Sequence, residues 1–201
     1  ARPKLQQLKL GISLNHGGIS GKRNSAGEED FHLSDDRRQQ LQRLIDDCDF
    51  VGMSFYAPVP ASPTSDDFVR GIQRFMHEFG QYGLNVPTTK PVQFSEVGIG
   101  GGQWRNGKRP DATQAAQSPW EGTANPRDNP WRTELMRKLR QQFHSALLEF
   151  LTKQPSPWHV SAAFLWSMGS WDPIGQQKPE FADPGIISAI QTHNESVKAD
   201  R

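Results

Sequence analysis

Four short segments of the chain carry apolar residues in patterns typical of β-strands. Residues 8–14 alternate large apolar side chains with small or polar ones, and residues 50–55, 91–97 and 160–165 each contain Val and Phe among other strand-forming residues. A segment with apolar residues at helical spacing follows each of them. This order of strand and helix, repeated four times, predicts an α/β fold with a parallel sheet and right-handed crossovers.

Each helical segment has a recognisable start. Ser34 precedes two acidic residues, Thr64 stands three residues before Asp67 at capping-box spacing, and Asn129 and Asp183 each precede a proline. The apolar faces of the four helices are predicted to consist of Leu41, Leu44, Ile45 and Cys48; of Phe68, Ile72, Phe75, Met76 and Phe79; of Leu135, Met136, Leu139, Phe143, Leu147, Phe150 and Leu151; and of Ile186, Ile187 and Ile190.

Alternation along the strands assigns each side chain to one of two faces. In the second strand Val51, Met53 and Phe55 are predicted to lie under helices, while Ser54 and Tyr56 face inward. The same reasoning places four further residues on the inward face: Ser13, Phe94, Phe164 and Trp166.

The carboxyl ends of the four strands carry side chains suited to a ligand. Asn15 and His16 end the first strand, Tyr56 the second, Glu96 the third and Trp166 the fourth. Ligands of parallel α/β folds gather at this edge of the sheet. A carboxylate, a phenol, an amide and an indole together predict a sugar site, with the indole as a platform for the C–H face of a pyranose.

Charge and composition argue against several other classes of protein. Lys and Arg total 23 against 22 Asp and Glu, so neither nucleic acid nor an anionic membrane is indicated as a partner. No apolar run approaches the roughly 18 residues of a membrane span. Cys48 is the single cysteine, and we expect it to be buried and inert. We expect neither a metal nor a cofactor.

A long loop, residues 97–129, follows the third strand. Loops of this length in compact domains are functional or disordered. It contains Trp104 and Trp120, which are either platforms for sugar rings or anchors that hold the loop down.

Three motifs in this order resemble the last three barrel strands of clan A glycoside hydrolases, the retaining (β/α)8-barrel enzymes of the cellulase-like kind. The motifs are Cys-Asp-Phe-Val-Gly-Met-Ser-Phe-Tyr at 48–56, Phe-Ser-Glu-Val-Gly at 94–98 and Phe-Leu-Trp-Ser-Met-Gly-Ser-Trp-Asp-Pro at 164–173. The resemblance implies that residues 1–201 are the C-terminal half of such a TIM barrel, its strands five to eight.

The resemblance also implies roles for individual residues. Glu96 matches the catalytic nucleophile, Tyr56 the residue that contacts and orients it, and Trp166 the floor of the subsite at the cleaved bond. Further substrate contacts are expected from Asn15, His16, Trp104, Trp171 and Asp172. Asp172 precedes a proline, however, and that pair is equally a turn signal.

The sequence departs from the family at one essential point. Retaining hydrolysis needs a second carboxyl group as acid and base, and the family carries it at the end of strand four, ahead of the four strands matched here. Because a lone half-barrel would also leave two sheet edges unpaired, we expect a partner: the N-terminal half, as a separate chain or a further segment, or a second copy of this chain. A small open doubly wound sheet is the alternative.

The resemblance thus implies a retaining hydrolase of O-glycosyl bonds in a polysaccharide, oligosaccharide or glycoside, and favours a secreted protein. A non-catalytic carbohydrate-binding or structural barrel subunit is the second hypothesis. An unrelated α/β binding domain, in which Glu96 only ends a strand, is the third.

Overall fold

The computed structural model describes residues 8–15, 33–104 and 107–199. Within these ranges the strands are β1 (Gly11–Asn15), β2 (Phe50–Phe55), β3 (Val92–Val97) and β4 (Val160–Leu165). The helices are α1 (Asp35–Asp47), α2 (Ser65–Gln81), α3 (Ala112–Gln117), α4 (Glu134–Lys153) and α5 (Pro184–Ala199). The predicted α/β class is confirmed.

The strands form one four-stranded, all-parallel sheet in the order β1-β2-β3-β4. Gly11 of β1 pairs with Phe50 of β2, and the register continues to Asn15 and Ser54. Sequential neighbours that run parallel require a crossover between them, and α1 and α2 lie in the first two connections.

The chain separates into two compact units. The first comprises Ala1–Phe55, Ile72–Ser95 and Ser156–Ala163, and so holds β1, β2 and most of β3 and β4. The second comprises Tyr56–Gly71, Glu96–Pro155 and Phe164–Arg201, and so holds the ends of β3 and β4 and the segments that follow them.

The core of the first unit corrects one of the predicted strand faces. Val51, Met53 and Phe55 are fully buried, and the ring of Phe94 lies 4.5 Å from that of Phe55. The prediction that Phe94 faces inward is therefore wrong, since it shares the buried side of Phe55. Ser95 takes the opposite side, where a Cβ added to Gly52 would overlap its hydroxyl.

Helix α1 buries less than its sequence pattern predicts. Ile45 is its one fully buried residue, and Leu44 is 47% exposed. Cys48 follows the helix as its C-cap and is half-buried, so the expectation of a buried thiol is also wrong. Lys90 holds this helix end by donating hydrogen bonds to the carbonyl oxygens of Ile45 and Asp46, at 2.7 and 2.8 Å.

The second unit is built around the aromatic side chains of α2 and α4. Phe68 lies 5.3 Å from Phe143 and 5.9 Å from Phe150, measured between ring centroids. At the start of α2 the backbone N–H of Thr64 donates to the carboxylate of Asp67 at 2.8 Å, which is the side-chain half of the predicted capping box.

Helix α4 begins later than predicted. Asn129 caps the 3-10 turn Pro130–Arg132, and Thr133 then caps α4 through its hydroxyl, which accepts the N–H of Met136. Leu135 therefore lies in the first turn of the helix. It is 63% exposed there and does not join the apolar face.

The predicted 33-residue loop contains regular structure. Helix α3 occupies Ala112–Gln117, and a capping box between Asp111 and Gln114 starts it. A 3-10 turn follows at Pro126–Asp128. None of the helices in the described ranges is long and apolar enough to cross a membrane.

Candidate functional site

The central contact of the site joins the ends of two strands. Tyr56 directly follows β2, and Glu96 is the penultimate residue of β3. The phenol oxygen of Tyr56 donates a hydrogen bond to Oε2 of Glu96 at 3.2 Å, and both side chains are half-buried. The sequence placed these two residues at the same sheet edge, and the structure brings them into contact.

The surroundings of Tyr56 keep it a hydrogen-bond donor. Burial raises the pKa of the phenol well above its ordinary value, and the negative charge of Glu96 and the hydrogen bond to it raise the pKa further. The phenol therefore stays protonated over the whole range in which proteins function. One carboxylate oxygen of Glu96 is engaged by this fixed donor.

Trp166 stands beside the residues that follow Glu96. Its backbone N–H donates to the carbonyl oxygen of Val97 at 3.0 Å. A Cβ added to Gly98 would lie 3.7 Å from the Cβ of Trp166 and 3.4 Å from Cδ1 of Trp171. Two half-buried tryptophans thus border the backbone two residues after the carboxylate, at ordinary van der Waals distances.

The glycine segment then passes Trp171. A Cβ added to Gly100 would overlap both the carbonyl oxygen of Glu121 and the indole of Trp171. The indole N–H of Trp171 donates to the carbonyl oxygen of Pro119 at 2.9 Å. Trp171 is therefore held between the Gly98–Gly100 segment and the loop before Glu121.

Ser170 ties these loops together and is fully buried. Its hydroxyl donates to the carbonyl oxygen of Gly100 at 2.6 Å and accepts the N–H of Thr123 at 2.9 Å. Its carbonyl oxygen accepts hydrogen bonds from Trp131 Nε1 at 2.6 Å and from Arg140 Nη2 at 3.2 Å. This residue fixes the relative positions of the two loops that carry Gly100 and Trp171.

A buried cation supports Ser170 from helix α4. Arg140 is 1% exposed, lies 4.9 Å from the ring of Trp131 and donates to the carbonyl oxygen of Phe181 at 2.6 Å. Burial lowers its pKa to about 10, against the opposing effect of the Asp183 and Asp172 carboxylates, so it remains charged at neutral pH. Burial and the neighbouring Arg140 charge also lower the pKa of His144 to about 4.

Asp172 lies away from solvent and is occupied by the backbone. It is 2% exposed, and its two carboxylate oxygens accept the N–H groups of Ile174 at 2.9 Å and Gln176 at 2.6 Å. This arrangement matches the turn signal in the sequence. As placed, the side chain is not open to a substrate.

Trp104 and Trp120 lie on the surface of the second unit. They are 42% and 53% exposed, and the guanidinium of Arg109 lies 4.9 Å from the ring centroid of Trp104. Neither side chain is buried in the core of this unit.

Of the two site residues predicted at the end of the first strand, the structure describes one. Asn15 ends β1 and is in register with Ser54. His16 lies outside the described residues. Among the residues that the structure describes, no group of three or more His, Cys, Asp or Glu side chains is arranged to hold a metal ion.

Sequence reasoning missed Ser170 and Arg140. Neither carries a local signal, because a serine after glycine and an arginine on an amphipathic helix are ordinary surface residues in most chains. The start of α3 was readable, however, since Asp111 and Gln114 stand at capping-box spacing.

The site thus offers a carboxylate with one oxygen bound by a phenol, and Trp166 and Trp171 border the backbone two residues after it. Such a group is able to attack an electrophilic carbon, accept a proton or bind a hydroxyl-rich ligand. Comparison of the chain with protein-family models, with curated proteins and with solved structures gives no match.

Proposed function

We propose that this chain carries the nucleophile of a retaining glycoside hydrolase, and that Glu96 is that nucleophile. The observation that carries the proposal is the 3.2 Å hydrogen bond from Tyr56 to Glu96 at the ends of neighbouring parallel strands. A nucleophilic carboxylate must be held in one orientation, and a phenol that stays protonated is a suitable group to hold it.

The proposed reaction has two steps. In the first, a carboxylate oxygen of Glu96 bonds to the anomeric carbon, the bond to the leaving oxygen breaks, and a second carboxylic acid gives that oxygen its proton. In the second, water attacks the anomeric carbon and loses a proton to the second carboxylate, while the ester bond to Glu96 breaks. The anomeric configuration is retained because two inversions cancel.

The two tryptophans that border the segment after Glu96 support a sugar as the substrate. Pyranose rings present an apolar C–H face that packs on aromatic rings, and their hydroxyls need polar partners at the rim. Trp166 and Trp171 both border Gly98, within two residues of Glu96 in the chain. In this proposal Trp166 supports the ring whose bond is cleaved.

The second carboxyl group is proposed to come from a partner. A retaining enzyme places its two carboxyl groups about 5–5.5 Å apart. We assign the second one to a glutamate of an N-terminal half-barrel, carried on a separate chain or a further segment, which pairs with the outer edges of β1 and β4.

Two features are in accord with such a partner. β1 and β4 are the terminal strands of the described sheet, and the outer edge of each offers backbone N–H and C=O groups with which a further strand is able to pair. Large apolar side chains are also exposed there, with Leu10 before β1 at 64% and Phe164 on β4 at 56%.

Turnover by the intact protein tests the proposal. Glu96→Gln keeps the size and the hydrogen-bonding reach of the side chain, so we expect the fold to survive and hydrolysis of aryl glycosides to fall by a factor of at least about 10³. Glu134→Gln, at an exposed position on α4, is the matched control and should retain activity. Near-normal activity of Glu96→Gln would remove Glu96 from the mechanism. Sugar binding without turnover by the wild-type protein would favour a non-catalytic subunit.

A further inference from the structure

The second unit contains a groove lined mainly by the loop after β3 and by helix α3, with a volume of about 420 Å³. That volume falls in the range of roughly 300–1,000 Å³ typical of small-molecule sites. The side chains that give the groove its chemistry are those of Gln103, Lys108, Arg109, Gln114, Gln117 and Glu121.

Two amide side chains in the groove are fixed by bonds to the backbone. Gln114 accepts the N–H of Asp111 at its Oε1, and Gln117 donates from its Nε2 to the carbonyl oxygen of Val59 at 2.9 Å. Gln114 therefore presents its amide nitrogen to a ligand and Gln117 its amide oxygen. A donor and an acceptor held on neighbouring helical turns suit the hydroxyls of a sugar ring.

Two of the side chains that line the groove carry positive charge. Lys108 and Arg109 are consecutive exposed cations, and the guanidinium of Arg109 is held over the indole of Trp104 at 4.9 Å. A guanidinium positioned in this way forms two parallel hydrogen bonds with a carboxylate or a sulfate. Glu121 is the single acidic side chain of the groove, so its net charge is positive.

The groove lies within reach of Glu96. Gly102 borders it, and a Cβ added there would lie 2.8 Å from the Cβ of Pro110 and 3.7 Å from the backbone of Ala115. Six residues span at most about 22 Å, so the groove wall lies no farther than that from Glu96. One polymer chain is therefore able to contact both places.

We propose that this groove binds an anionic sugar unit of a polysaccharide whose backbone is cleaved at Glu96. Lys108 and Arg109 take the carboxylate or sulfate, Gln114 and Gln117 take ring hydroxyls, and the exposed part of Trp104 packs on a ring. The inference rests on the proposed function, because it assigns the groove to the substrate of the same reaction. It specifies an acidic polymer as the substrate.

Calorimetric titration of the 201-residue chain with three probes tests this assignment: trigalacturonate, a sulfated carrageenan tetrasaccharide and neutral cellotriose. We expect one anionic probe to bind at least about tenfold more tightly than cellotriose, with the advantage shrinking as salt is added. The carboxylated and sulfated probes identify which anion the groove selects. Equal affinity for all three probes, or no binding of any, would overturn the proposal.

Two double variants locate the binding. Lys108→Gln with Arg109→Gln should abolish the anionic preference, whereas Arg137→Gln with Lys138→Gln removes the same two charges from the exposed face of α4 and should preserve it. Equal loss in both variants would show a general charge effect and refute the groove. Binding is measured without cleavage, so anion binding that persists without turnover would refute only the hydrolase, and turnover without anion preference only the groove.

Discussion

At the scale of single residues, the hydrogen bond between Tyr56 and Glu96 is the feature on which the proposed function depends. It joins two side chains forty positions apart in the chain, and each sits at the end of its own strand. The sequence identified both residues, because a carboxylate and a phenol at strand ends have no reason to be there as packing groups. What it does not specify is that they touch.

The ionisation of Tyr56 gives this contact a direct test. Absorbance titration, with Tyr56→Phe subtracted to isolate the signal, should show this phenol ionising well above the ordinary value of 10.0. Glu96→Gln removes a charge and should lower the pKa of Tyr56, though not to its ordinary value, because burial is the larger cause. An ordinary pKa in the wild-type protein would mean that the phenol is neither buried nor paired.

The same shift affects stability at high pH. Above pH 10 the unfolded chain releases the phenol proton before the folded chain does, so the free energy of unfolding falls as the pH rises. The stability that comes from the raised pKa of Tyr56 is present below pH 10 and is lost as the pH rises further. The Tyr56→Phe variant lacks this pH-dependent contribution.

At the scale of elements, the glycine segment after β3 fixes the site because it leaves room for Trp171. Gly101 and Gly102 have φ angles of +83° and +79°, which other residues rarely adopt, and Gly100 has the carbonyl oxygen of Glu121 and the indole of Trp171 against it. The sequence shows glycines after a strand, but it does not show which rings and carbonyl groups lie against them.

Gly100→Ala tests the packing of this segment. Its methyl group must displace a backbone carbonyl and a held indole, so we expect a loss of about 1–3 kcal/mol in the free energy of unfolding. Gly80→Ala is the control, because nothing lies within 4 Å of its added Cβ and it is helical; it should gain about 0.5–1 kcal/mol. Chemical denaturation measures both. Equal changes in the free energy of unfolding of the two variants would contradict the close packing of Trp171 against Gly100.

Elements with strong local signals were predicted well, and contacts between distant residues were not. All four strands and the four long helices follow from periodicity and capping, whereas the inward assignment of Phe94 failed. Our interpretation of the alternation places Phe94 on the inward face, but its ring packs against the buried ring of Phe55. Ser170 could not be found at all, because its five partner atoms come from segments that the sequence does not connect.

At the scale of the whole molecule, the two terminal strands of the parallel sheet, β1 and β4, are the features that bear on a partner. Alternation of strands and helices determines the parallel sheet, but it does not determine whether such a sheet is complete. The exposed Phe164 and Leu10 mark the places where a partner is proposed.

Light scattering on the purified 201-residue chain tests this proposal. We expect a mass above that of the monomer, or a partner that copurifies, because the edges of β1 and β4 would otherwise present unpaired backbone groups. Charged substitutions at the exposed edge, such as Phe164→Lys, should shift the chain toward the monomer. A cooperative, well-folded wild-type monomer would contradict the half-barrel and favour an open sheet.

The most direct test that Glu96 is the nucleophile is to trap it covalently. A 2,4-dinitrophenyl 2-deoxy-2-fluoroglycoside has a leaving group that needs no proton, so its first step does not require the second carboxyl group, and the fluorine slows release of the sugar. We would incubate the chain with gluco, manno, galacto and xylo versions and locate any adduct by peptide mass spectrometry. We expect one ester-linked sugar on Glu96, absent in Glu96→Gln and present in Glu134→Gln. A sugar attached to another residue, or no adduct on a folded chain with any of the four, would contradict it.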